Sequence, residues 1–149
     1  MQADWALVLQ GDDIERILSS ADTSSCELPE WIEQKLDERG IKRNMVVRRS
    51  RLNQTYAYQI MAGLRRASRD KLMQICFGMG LDVDDACELL EVGHVNRLNP
   101  TNRRDIIIAY CLDRGLDVSE CDDLLWRYGE ATLVTEEATH KNPAAGRDN

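Results

Sequence analysis

Basic side chains, which can neutralise phosphate groups, are concentrated between residues 39 and 71. Ten lie in this window: Arg39, Lys42, Arg43, Arg48, Arg49, Arg51, Arg65, Arg66, Arg69 and Lys71. Asp70 is the only acid among them, so the window has a net charge of 10 minus 1, or +9, whereas the whole chain carries -7. A basic face on an otherwise acidic protein favours contact with a nucleic acid. The alternative is a solvated helix surface that has no partner.

Two glutamines inside this window, Gln54 and Gln59, bring a second kind of chemistry. The carboxamide of glutamine is a fork that pairs with N6 and N7 of adenine. The alternative is that both glutamines are ordinary exposed helix positions. Tyr56 and Tyr58 cannot both face the same side of a helix at their spacing, so we expect one of them to be a packing residue.

The elements that would position these side chains are helices, because the apolar residues recur with helical and not with strand periodicity. Five helices are predicted, over about residues 29–39, 42–50, 54–62, 69–79 and 83–92, and no sheet is expected. Asn53, Ser68 and Asp82 are the predicted N-caps, with Asp85 at the capping-box position of the fifth helix. Residues 51 to 53 form a short turn between the second and third helices.

This segment resembles the lambda-repressor-like (Xre or Cro type) helix-turn-helix family. The matching stretches are Ile41 to Asn44 at the start of the second helix, Leu52-Asn53 at the turn, Gln54 to Ile60 as the recognition helix, and Gly63 to Ser68 after it. The resemblance covers about 65 residues, from Leu28 to Val92. It implies a five-helix domain whose third helix enters the major groove of DNA.

The resemblance also implies roles for individual residues. Four side chains of the recognition helix would face base edges: Gln54, Thr55, Tyr58 and Gln59. The start of the second helix and the loop after the third would lie against phosphate, together with the next basic residue, which gives Lys42, Arg43, Arg65, Arg66 and Arg69. We therefore expect a bacterial, cytoplasmic transcriptional regulator that binds double-stranded DNA sequence-specifically, as a homodimer because the family usually reads two half-sites.

Four positions depart from the family pattern. Arg51 stands where the turn usually has Gly, and a positive φ at a non-Gly residue costs on the order of 1 kcal/mol. Val47 replaces the usual Ala of the second helix, and Ala57 replaces the usual larger aliphatic of the third. Ala67 stands where Pro is common. These departures leave open a second hypothesis, a protein-interaction adaptor with the same fold that does not bind DNA.

A sequence similarity at a spacing of 35 residues links residues 69–90 with residues 104–125. Gly80 to Val83 recurs as Gly115 to Val118, Arg69-Asp70 matches Arg104-Asp105, and Cys76 matches Cys111. Two copies are too few for a solenoid. The second copy is therefore predicted to be a helical hairpin, about residues 102 to 129, that packs on the first domain and offers a surface for a protein partner.

The predicted organisation is all-α, with four parts. Residues 1–27 form an N-terminal helical arm and linker, residues 28–92 the helix-turn-helix domain, residues 93–130 the added hairpin, and residues 131–149 a disordered tail. Trp31 and Trp126 both lie on apolar helical faces and are expected in the core.

Other classes of function lack support in the sequence. The five cysteines contain no C-x-x-C pair and fall mostly in apolar helical patterns, so we expect reduced core thiols and no zinc site. His94 is expected to be a structural or solvated loop residue. No apolar run approaches the roughly 20 residues of a membrane-spanning helix. No nucleophile and base pair or phosphate loop can be assembled, so neither an enzyme nor a cofactor is expected.

Overall fold

The computed structural model describes residues 27 to 135 and, before them, Ile14. Seven α-helices and no strand are present among the residues from 27 to 135. They are α1 (Leu28–Arg39), α2 (Arg43–Ser50), α3 (Gln54–Met61), α4 (Arg69–Met79), α5 (Val83–Val92), α6 (Arg103–Asp113) and α7 (Val118–Arg127). The prediction of an all-helical chain is confirmed for this part. The rest of the predicted N-terminal arm, and residues 136 to 149, lie outside the described residues.

None of the helices described between residues 27 and 135 combines the length and the apolar character needed to cross a membrane.

The helix ends follow the predicted capping signals. Asn53, Ser68 and Asp82 each accept a hydrogen bond from the backbone N–H three residues later, which satisfies one of the free donors of the first turn. Asp85 does not serve the capping box, because its carboxylate instead accepts from the Arg39 guanidinium at 2.5 Å. This bond ties the start of α5 to the end of α1.

α4 is the centre of the fold. Every residue from Leu72 to Met79 is buried, and the helix packs against α2, α5 and α7. Gly78 allows the closest of these approaches, since a Cβ at this position would lie 2.5 Å from the carbonyl oxygen of Val46 on α2. Four residues earlier on the same face, the buried Gln74 donates to the Ser50 carbonyl oxygen at 3.0 Å. α4 therefore determines where α2 and the turn after it lie.

The two similar segments form two helix pairs, the first pair α4 and α5 and the second pair α6 and α7, joined by a reciprocal arginine–aspartate clasp. Arg69 donates to both carboxylate oxygens of Asp105, at 3.0 and 2.7 Å. Arg104 donates to both oxygens of Asp70, at 2.9 and 3.0 Å. Each arginine thus binds the aspartate of the other helix pair. The same contact therefore occurs twice, once in each direction. This is the closed, two-fold arrangement of an isologous dimer within one chain.

The remaining donors of the two clasp arginines follow the same 35-residue relation. Arg69 donates to the carbonyl oxygens of residues 96 and 97, and Arg104 donates to those of residues 131 and 132. Each guanidinium group therefore also binds the chain segment that follows its own helix pair.

Asp105 is the most buried carboxylate of the clasp, with its side chain 6% exposed against 33% for Asp70. Burial alone would raise the pKa of Asp105, but hydrogen bonds from Arg69 and from the backbone N–H of Asn99, with the positive charges of Arg69 and Arg104, hold it below its ordinary value. Asp105 is therefore ionised and fully paired at neutral pH.

One expectation about burial is confirmed and one is wrong. Trp31 lies in the core, whereas Trp126 is 79% exposed, because the buried stripe of α7 consists of Val118, Cys121 and Leu125 and leaves position 126 outside it. The start of the expected disordered tail is packed: Leu133 is buried and its backbone N–H donates to Asp122. Hairpin contacts thus extend beyond residue 130.

The cysteines within residues 27 to 135 are free and buried, as predicted; they are Cys76, Cys87, Cys111 and Cys121. Burial raises the pKa of the Cys76 and Cys121 thiols well above the ordinary value. Both thiols are consequently protonated and inert at neutral pH.

Candidate nucleic-acid interface

The turn between α2 and α3 is held by its own side chains and by α4. The Ser50 hydroxyl donates to the Val47 carbonyl oxygen at 2.8 Å and accepts from the backbone N–H of Leu52 at 3.2 Å. Arg51 adopts the left-handed conformation, with φ 64° and ψ 18°. The turn thus has the positive φ for which glycine is the usual residue, although it has an arginine there.

α3 buries one side and leaves the other open. Ala57, Ile60 and Met61 are buried in the core shared with α2 and α4. Gln54 and Thr55, in the first turn of α3, are exposed, while Tyr58 and Gln59 are half-buried. Val47 and Ala57 are both buried in the same core cluster, so the larger residue on α2 and the smaller one on α3 are accommodated together.

Tyr58 and Tyr56 are both half-buried and packed against the core, so two packing tyrosines are found where one was expected, and Tyr56 also has cations beside its ring. The Cζ atom of Arg65 lies 5.0 Å from the centre of its ring, and the Nζ atom of Lys71 lies 5.8 Å from it. Arg65 also donates to the side-chain oxygen of Gln59 at 3.3 Å. The Tyr56 ring and the bond to Gln59 hold the Arg65 guanidinium beside α3.

The predicted phosphate contacts fall into two groups. Arg43 forms an ion pair with Glu33, and Arg69 uses its donors in the clasp. Lys42, Arg65 and Arg66 are exposed and form no salt bridge with the acids among residues 27 to 135. The structure therefore brings together the α3 side chains and Arg65, while Arg69 has a structural role that the +9 window did not reveal.

Three further cations were not predicted as a site. Arg48, Arg49 and Arg51 are exposed at the end of α2 and line a cleft against α7, and Arg51 donates to the Ser119 hydroxyl at 2.9 Å. The sequence contained a signal for them, since they are consecutive cations of the basic window. Their position opposite α7 could not be inferred, because it depends on how the second helix pair packs.

The chain was compared with protein-family models, with curated proteins and with solved structures, and none of the three comparisons found a match.

Proposed function

We propose that the chain is a sequence-specific DNA-binding transcriptional regulator of the lambda-repressor-like helix-turn-helix class. In this proposal α1 to α5 form the five-helix domain, α3 is the recognition helix, and α6 with α7 is an added hairpin. The observation that carries the proposal is the first turn of α3: Gln54 and Thr55 are exposed there, and Arg65, which forms no salt bridge with the described acids, lies 5.0 Å from the Tyr56 ring of the same turn.

The roles of the side chains follow from their exposure and partners. Gln54 and Thr55 project from the start of α3, the end that reaches base edges in this class of motif. Tyr58 and Gln59, one turn later, would contact the flank of the site. Lys42, Arg65 and Arg66 would bind phosphate and so position the helix without contributing sequence preference. Arg43 would join them only by giving up its ion pair with Glu33.

The test is a binding selection from random duplex DNA, run with the wild type and with the Gln54→Ala, Gln59→Ala double variant. We expect an enriched motif for the wild type, and a loss of about 1 to 3 kcal/mol of specific binding for Q54A alone, because a bidentate pair with adenine is removed. Gln34→Ala is the matched control, since Gln34 is an exposed glutamine on α1. Absence of any enriched motif for the wild type would overturn the proposal.

Salt dependence separates base reading from phosphate binding. The logarithm of the binding constant should fall linearly with the logarithm of the salt concentration. R65A and R66A should each make this slope shallower by about 1, and should weaken binding to all DNA sequences equally. R127A removes an equal charge from the exposed end of α7 and should leave the slope unchanged.

A second candidate, a protein-interaction adaptor, is favoured by the apolar surface of the second helix pair. Ile106, Tyr110, Trp126 and Tyr128 are between 48% and 79% exposed. Apolar side chains grouped on one surface often mark an interaction site. An adaptor would keep its partner when Gln54 and Gln59 are both alanine and would lose it in I106A/Y110A, whereas a regulator would show the opposite sensitivity in its binding to DNA.

A further inference from the structure

A cleft of about 510 Å³ lies between the end of α2 and the second helix pair. Arg48, Arg49 and Arg51 line one side, and Ser119, in the first turn of α7, faces them. Apolar side chains at the ends of α4 and α6 line the interior, among them Phe77 and Leu112. Guanidinium groups thus stand beside an apolar surface within one concave site.

The charge of this cleft is not balanced from within the described chain. None of its three arginines forms a salt bridge with an acid between residues 27 and 135. One carboxylate, that of Asp117, lines the cleft, and it accepts from the backbone N–H of Glu120 at 2.8 Å as the cap of α7. Three positive charges against one negative charge give the cleft a net charge of +2.

Arg51 reaches this cleft from a conformation that disfavours a side chain. With φ at 64°, it carries a steric cost that glycine at the same position would avoid. This conformation places the Arg51 guanidinium opposite α7, where it donates a hydrogen bond to the Ser119 hydroxyl at 2.9 Å. Strain of this kind is concentrated at binding sites, where the placement of one side chain outweighs the cost of its backbone.

We propose that this cleft binds a small organic anion. Its phosphate, sulfonate or carboxylate group would be held by Arg48, Arg49 and Arg51, because guanidinium forks form charge-assisted hydrogen bonds with such oxygens. Its apolar part would lie against the half-buried Leu116 and the exposed edges of Phe77 and Leu112, in the manner of ligand pockets that combine apolar walls with a few polar groups. A DNA backbone would use the arginines but would leave the apolar interior without a partner, so the geometry favours the small anion.

The experiment compares two probes that differ by one charged group. 8-Anilinonaphthalene-1-sulfonate carries a sulfonate on an aromatic system, and N-phenyl-1-naphthylamine is its uncharged analogue. With the full chain, fluorescence titration should show saturable binding of the sulfonate at one site per chain, and binding of the analogue should be about tenfold weaker or less. Inorganic phosphate in excess should displace the sulfonate.

Variants then locate the binding. R49A and R51G should each weaken binding of the sulfonate about tenfold, since a charge-assisted hydrogen bond is lost. R127A, which removes an exposed arginine elsewhere on α7, should leave it unchanged. Ser119→Phe should weaken it at least tenfold with all three arginines retained, because the ring occupies the part of the cleft beside Arg51. Circular dichroism and thermal unfolding of each variant establish that it is folded.

Three results would overturn the proposal. One is equal affinity for the charged and uncharged probes, which would indicate an apolar patch only. Another is sulfonate binding that R49A and S119F leave intact. The third is a loss of DNA affinity in the arginine variants with no probe binding by the wild type, which would assign these arginines to the DNA backbone.

Discussion

The two helix pairs share a sequence pattern but present different surfaces. Gly80 and Gly115, 35 residues apart, have φ angles of 67° and 71° and follow the first helix of each pair, Gly80 as the C-cap of α4 and Gly115 directly after Arg114, the C-cap of α6. On the covered face of α4 lie Gln74 and Gly78, which receive α2; the equivalent positions of α6 are Ala109 and Asp113. No described helix covers α6 there. A repeated sequence pattern thus reproduces local structure, while single residues decide which helix face accepts another helix.

The largest expected effect concerns the two halves of the clasp. Asp105→Ala should lower the free energy of unfolding by about 3 to 5 kcal/mol, because it removes a nearly buried acceptor and leaves both the Arg69 guanidinium and the backbone N–H of Asn99 without their partner. Asp70→Ala should cost about 1 kcal/mol, because Asp70 is one-third exposed and the remaining Arg104 keeps the negative charges of Asp105 and Asp122 nearby and its bonds to the carbonyl oxygens of residues 131 and 132. Urea denaturation of both variants measures the difference. Equal losses would show that the two-fold relation extends to the energetics.

Lowering the pH should reproduce, in the wild type, part of the stability that Asp105→Ala loses. The folded-state pKa of Asp105 lies below its ordinary value, so its ionised form stabilises the protein above the unfolded pKa, near 4, and this contribution disappears as pH falls through the folded pKa. The wild type should therefore lose stability below about pH 4 more steeply than Asp105→Asn. Parallel pH profiles of the two proteins, measured by thermal unfolding, would contradict this assignment.

The next largest effect is expected for Gly78→Ala, which tests why α2 packs on α4 and not on α6. Gly78→Ala places a Cβ against the Val46 carbonyl oxygen, an overpacking cost of about 1 to 3 kcal/mol that outweighs a gain of about 1 kcal/mol in helix propensity. We expect a net loss of about 1 kcal/mol in unfolding free energy. Asp113→Ala, at the exposed equivalent position, should stay within about 0.5 kcal/mol of the wild type. A neutral G78A would mean that α2 can shift away from α4.

The smallest effects concern one position with positive φ in each pair. His94 has φ 64° and its equivalent Gly129 has φ 76°. Gly129→Ala should destabilise by about 1 kcal/mol, because a Cβ is introduced in the left-handed region. His94→Gly should stabilise by about 0.5 kcal/mol, since relief of that strain exceeds the added entropy of the unfolded chain. Calorimetric melting temperatures distinguish the two signs.

Much of the local structure could be predicted because its signals lie within a few residues of one another. Asn53, Ser68 and Asp82 cap the helices that they were expected to cap, and the buried cysteines follow the apolar pattern. The apolar pattern gave the wrong prediction for Trp126, because the edge of a helix face is not sharply marked in the sequence. Neighbouring positions can differ completely, since Leu125 is buried and Trp126 is exposed.

The candidate site was predictable only in part for the same reason. Gln54 and Thr55 are exposed, as a surface contact requires, but charge alone could not distinguish Arg66, which is exposed, from Arg69, which is bound in the clasp. Both are arginines of the same basic window. Their difference depends on Asp105, which is 36 residues from Arg69 in the chain.

The amino-acid sequence by itself determined the helices, their caps, the short turn and the duplication, because propensity, capping and periodicity act over a few residues. The tertiary structure alone decided the two-fold clasp, the covering of α4 by α2, and the cleft beneath Arg48, Arg49 and Arg51. Each of these joins segments distant in the chain, and their contacts depend on distances and orientations that a spacing of residue types does not contain.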